Sequence, residues 1–128
     1  ENQPALKNPV MKTIQVMVFT FFHYQKDLLK RAIDIHIINA RNKIKFADSL
    51  MKSYECEEIV CKTAPTNKYK WNKEASILYT AQLLEYKNMA GDLEFFKTFK
   101  KKDDLADTLL QGLYFAHLPG TTEPTHSA

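Results

Sequence analysis

Ile33-Asp34-Ile35-His36-Ile37-Ile38 is the stretch whose reading decides the fold. Apolar and polar residues alternate along it, and its isoleucines are β-branched. That pattern predicts a β-strand with one face buried. Asn39-Ala40-Arg41-Asn42 then reads as a polar turn, and Lys43-Ile44-Lys45-Phe46 as a resumed extended segment. With a strand here the chain mixes sheet and helix. Without it, what remains is helical.

Working outward, the flanks carry helical signals. Asn8-Pro9 is a helix start, because Asn can cap and Pro suits the first turn. Ile14, Met17, Val18, Phe21 and Phe22 then share one face, and Val16 and Phe19 extend the apolar surface beyond it. Such a helix packs on more than one side or forms an oligomer contact. Its end is expected between Tyr24 and Ala32. Downstream, Phe46 to Tyr54 reads as a short helix or a loop, and Cys56 to Thr66 has no clear pattern. A long helix is expected from Lys73 to Met89. Its stripe is Ala75, Leu78, Tyr79 and Leu83, widened by Ile77, Ala81 and Leu84. Gly91 ends or interrupts it, and Leu93 to Phe96 adds a helical turn. A last helix runs from Asp103 to His117 with Ala106, Leu109, Leu110 and Leu113 inward, and Pro119-Gly120 stops it. The tail from Thr121 to Ala128 is too polar to pack and is expected to be disordered.

The totals agree with one mainly helical domain. The 128 residues are 45% hydrophobic, with only three glycines and five prolines. The net charge of +3 is too small to identify a nucleic-acid binder by itself. Cys56 and Cys61 lack a second pair, so they read as free thiols of a reducing compartment rather than a zinc site. No secretory signal is visible. The run from Val16 to Phe22 is far too short to span a bilayer. The sequence begins with Glu1 rather than Met, as a fragment or processed product would.

Chemistry concentrates at Asp103-Asp104-Leu105-Ala106-Asp107. Asp104 and Asp107 are three apart and project from one helical face. Two carboxylates so placed can share a hard cation such as magnesium. Aspartates are also favoured at helix starts for capping and for the macrodipole. Asp103 fits the cap, whereas Asp107 lies a turn inside. Lys97, Lys100, Lys101 and Lys102 precede these acids. Lys62, Lys68, Lys70 and Lys73 form a second group, interleaved with Tyr69 and Trp71. Lysines draw in phosphates and aromatic rings stack on exposed bases. A solvated face with Trp71 in the core is the plainer alternative.

The stretch from Lys100 to Tyr114, KKKDDLADTLLQGLY, resembles the C-terminal signature of Holliday junction resolvases of poxviruses and other large DNA viruses. Those enzymes are relatives of RuvC. Glu1-Asn2-Gln3 followed by Asn8-Pro9 resembles that family's Glu-bearing strand end. Ile38 to Lys43 resembles the next strand and its turn, and Lys70 to Glu85 the lysine-rich helix before the signature. The resemblance implies an α/β, RNase H-like fold over residues 1–118, partial and mainly helical here, with residues 119–128 as a tail. It implies catalytic and metal-binding roles for Glu1, Asp104 and Asp107. A fourth acid, an aspartate of the first strand, is expected upstream of Glu1, so that residues 1–128 alone cut poorly. Lys68, Lys70, Lys73, Lys100, Lys101 and Lys102 become the DNA contacts. Two magnesium ions, or manganese in their place, are the implied cofactors of phosphodiester hydrolysis.

The implied partners are branched DNA and a second copy of the chain, with no membrane. The implied setting is intracellular: the cytoplasm, a viral replication site or the nucleus. Two other readings stand beside this one. One is a different RNase H-fold nuclease or transposase-like enzyme. The other is a non-catalytic helical module that binds DNA through lysines.

Overall fold

Asn8 starts the first helix as its sequence predicts. Its side-chain oxygen accepts the Val10 amide at 3.0 Å, and Pro9 occupies the first helical position. In the computed structural model, which describes residues 8–119, this helix is α1, Pro9–Leu29. Lys30 closes it in the left-handed conformation, at φ 48°. The later helices are α2 (Lys43–Ser53), α3 (Lys68–Tyr86), α4 (Ala90–Thr98) and α5 (Lys102–Ala116), with a 3-10 turn at Ala40–Asn42.

No strand forms among the described residues, which corrects the expected α/β, RNase H-like architecture: this is an all-helical structure. Residues 31–38 adopt no regular structure. The alternation in Ile33 to Ile38 permits an extended chain, but a strand exists only where neighbouring backbone completes its hydrogen bonds. Lys43 to Phe46 is likewise not extended. It opens α2, because Ile44, Ala47 and Met51 recur at helical spacing and pack into one core.

The chain divides into two units, Glu1–Ala40 and Arg41–Ala128. In the first, α1 carries no buried residue. Val16, Met17, Phe21 and Leu28 are each more than half exposed. No helix among the described residues is long and apolar enough to cross a membrane.

The second unit is built around α3, which packs against α2, α4 and α5. Its buried residues, Ala75, Ser76, Tyr79, Thr80, Leu83 and Leu84, cover more than one face, as three packing partners require. One core joins Ala75, Tyr79 and Leu83 to Ala47 and Met51 of α2 and Leu110 of α5. A second joins Leu84 to Phe96 of α4 and Ala106 of α5. Ala75 and Ala106 are fully buried, and their small size lets α3 and α5 approach closely. Gly91 does not interrupt the chain but sits inside α4. The break falls at Asn88, whose φ of 55° turns the backbone. At the C-terminal ends of α2 and α3, Tyr54 and Tyr86 stack at 4.3 Å, with the Lys87 ammonium 4.8 Å from the Tyr54 ring.

Candidate functional site

The start of α5 carries the expected aspartates, but Asp103 does not hold the expected capping position. Lys101 is the capping position and offers no side-chain acceptor. Asp103 is therefore not the cap but a first-turn residue. There its carboxylate answers the free amides of Asp103 and Asp104. It also receives the Lys73 ammonium at 2.6 Å. That hydrogen bond, more than the amides, holds the Asp103 carboxyl below its ordinary range despite partial desolvation. The same contact raises the Lys73 ammonium, with a further contribution from Tyr69. Lys73 also lies 5.1 Å from the Tyr69 ring centre. An expected DNA contact is thus already engaged within the protein.

Asp104 is exposed and Asp107 half-exposed one turn later. Asp107 pairs with Lys43 of α2 at 2.6 Å, and the Lys43 side chain is only 12% exposed. Sequence reasoning missed Lys43 as a partner, since nothing local links two residues so far apart in the chain. Lys100 and Lys101 stand exposed just before α5, and Lys102 is half-buried as its first residue. Lys68 and Lys70 are exposed at the start of α3, where the Asn67 side chain accepts the Lys70 amide at 3.3 Å. Glu1 lies outside the described residues.

Among the described residues no cluster of three or more His, Cys, Asp or Glu side chains is placed to hold a metal ion. The chemistry of Asp104 and Asp107 nevertheless suits magnesium, which binds through one or two carboxylates and fills its remaining positions with water and phosphate. Cys56 and Cys61 are free and half-buried. Burial, and then the charge of Glu74, pushes the Cys61 thiol up, away from nucleophilic character.

A second polar cluster was not anticipated. Tyr79 donates its hydroxyl to Asp48 at 2.9 Å, and Lys52 pairs with the other oxygen of Asp48 at 2.8 Å. Lys52 foremost, and Tyr79 against the cost of desolvation, lower the Asp48 carboxyl. Burial, followed by Asp48, raises the Tyr79 phenol. Nearby, Glu74 receives the amides of Lys62 and Thr63 at 2.7 and 2.9 Å. The Thr63 side chain and these amides lower its carboxyl.

No family model matches the chain, and no solved structure matches it. Over 119 residues it is 37% identical to an uncharacterized protein of Acanthamoeba polyphaga mimivirus. The match covers 90% of this chain and 27% of that protein, so the chain spans about a quarter of its relative's length.

Proposed function

We propose that the chain belongs to a magnesium-dependent endonuclease that cuts branched DNA, as the junction resolvases do whose signature Lys100 to Tyr114 resembles. The observation that carries this reading is the order of charges entering α5. Exposed Lys100 and Lys101 come first, then exposed Asp104, then Asp107 one turn on. A nuclease needs carboxylates for its metal and positive charge beside them for its polyanionic substrate. A virus-encoded relative fits the reading.

In this scheme Asp104 and Asp107 hold the cation and do not attack the substrate. Bound magnesium supplies Lewis acidity at the phosphodiester. Lys100 and Lys101 draw the backbone toward the carboxylates, and Lys68 and Lys70 extend the positive surface along α3. Lys102 and Lys73 contribute less, one half-buried and the other tied to Asp103. Glu1 is a further proposed ligand, and a second copy of the chain would place two such sites on the two halves of a junction.

The test is junction cleavage by the full chain, within its complete protein, before and after the double substitution Asp104→Asn and Asp107→Asn. Loss of cleavage, with magnesium binding lost in calorimetry, is the expected result. Preference for RNA–DNA hybrids would point instead to a nuclease of different substrate. The second reading, a DNA-binding module without chemistry, draws on the ion pairs at Asp103 and Asp107. Unchanged cleavage in the double variant would favour it.

A further inference from the structure

Three phenylalanines stand at the end of α4, and only one faces the core. Phe96 is 4% exposed and joins Leu84 and Ala106 in the second core. Phe95 is 59% exposed and Phe99 38%. Phe99 caps the helix in an extended conformation, while its amide still bonds the Phe95 carbonyl at 3.1 Å. The two outer rings meet with their centres 5.6 Å apart and their planes tilted by 44°. Phe96 supplies the contact with the core, so the outer pair is left facing water.

The charges around the pair are ordered. Asp92 and Glu94 are exposed and precede Phe95, Asp92 by one helical turn, with Lys97 exposed between the rings in the chain. Lys100 and Lys101 are exposed and follow Phe99 directly. At ~3.8 Å between successive Cα atoms, both lie within about 8 Å of it along the backbone. Among the described residues neither forms an ion pair. Negative charge thus stands before the rings and open positive charge after them. A ligand with a flat face for the rings and an anion at the lysine end matches this order. A nucleotide within a single strand has that form, since its base stacks on aromatic side chains and its phosphodiester carries one charge. A base inside a duplex is already stacked on both faces and cannot offer one.

We propose that Phe95 and Phe99 form a stacking surface for unpaired bases of a DNA strand whose phosphates lie against Lys100 and Lys101. The inference rests on the nucleic-acid reading above. It adds a hold on the bases to lysines that reading assigns to the backbone, and sets it immediately before α5 and its carboxylates.

The full chain is titrated with fluorescein-labelled oligothymidylate and with labelled blunt duplex at fixed salt, reading anisotropy. The oligothymidylate complex is also crosslinked by ultraviolet light, and its tryptic peptides are mapped by mass spectrometry. Crosslinks are expected in residues 88–97 and 98–100, the peptides that carry Phe95 and Phe99. Phe95→Leu with Phe99→Leu keeps apolar bulk and removes the rings. It should raise the oligothymidylate Kd at least about fivefold, the lower end of what one stacked base contributes, with little change for duplex. Lys100→Gln with Lys101→Gln should flatten the salt dependence of oligothymidylate binding. Oligothymidylate binding that survives loss of both rings would overturn the stacking surface and leave DNA binding intact. So would equal losses on both DNAs, crosslinks confined to other peptides, or an unchanged salt dependence in the lysine variant. Absence of any anisotropy change with either DNA would overturn the nucleic-acid reading and the stacking surface together.

Discussion

The Lys43 ammonium lies 2.6 Å from Asp107, tying the first residue of α2 to a carboxylate on α5. A cation at the start of a helix meets the positive end of the macrodipole, and Asp107 offsets that repulsion. The same carboxylate is one that the proposed function assigns to magnesium. On that proposal the ammonium and the metal ion would compete for it. Lys43→Met should tighten manganese binding by ~3- to 10-fold in calorimetry on the full chain, the scale of a partly exposed ion pair. Unchanged or weaker binding would mean that Lys43 orients Asp107 instead of opposing the metal.

Glu74 gives the second unit an acid-sensitive attachment. Its carboxyl is lowered in the folded state by the Thr63 side chain and the amides of Lys62 and Thr63. The stabilisation is therefore complete above the ordinary carboxyl value of 4.5 and fades as pH falls through the lower folded value. Glu74→Gln should lower Tm at pH 7, and the gap to the parent should narrow as pH drops below about 4. A gap that stays constant from pH 7 to pH 3 would contradict this account.

Leu110 is 1% exposed where α5 meets α3 and α2. Leu110→Ala removes buried methyl groups at a site with little room to collapse. Urea unfolding should show a loss of about 2–5 kcal/mol. A loss well under 1 kcal/mol would place Leu110 outside the cooperative core.

The uncovered surface of α1 should drive self-association. Val16, Met17, Phe21 and Leu28 are each more than half exposed on a helix with no buried residue. Light scattering on the 14.9 kDa chain should give a mass at or above that of a dimer. Phe21→Gln with Leu28→Gln should shift the population toward monomer. A parent chain that is monomeric at every concentration would end this expectation.

Local signals made the helices legible. Asn8-Pro9 marked the start of α1, and the apolar stripe at Ala75, Tyr79 and Leu83 marked α3. The inward set of α5 was also readable, with Ala106 and Leu110 buried and Leu109 and Leu113 packed beside them. The start of α3 came five residues earlier than its stripe suggested, because Asn67 caps it and the first turn is solvated. The strand at Ile33 to Ile38 failed because alternation is a local property and a sheet is not. Lys43 to Phe46 was misread over too short a window, since the helical repeat emerges only once Ala47 and Met51 are included. At the site, the positions of Asp104 and Asp107 on α5 were readable from their spacing. The lysines that meet Asp103 and Asp107 were not, because only the packing of α2 and α3 against α5 brings them there.

The connection from α2 to α3 has a consequence for how this region can diverge. Gln82 grips the Glu57 carbonyl at 2.7 Å, and Glu74 grips the amides of Lys62 and Thr63. Both anchors belong to a single helix, so the span between them is tethered like a strap buckled at its two ends. Exposed Glu58 and Val60 can then exchange side chains while Ile59 and Cys61 stay packed on the core and the strap keeps its course. Shape at this place is inherited from Glu74 and Gln82, and variation is left to the exposed positions in between.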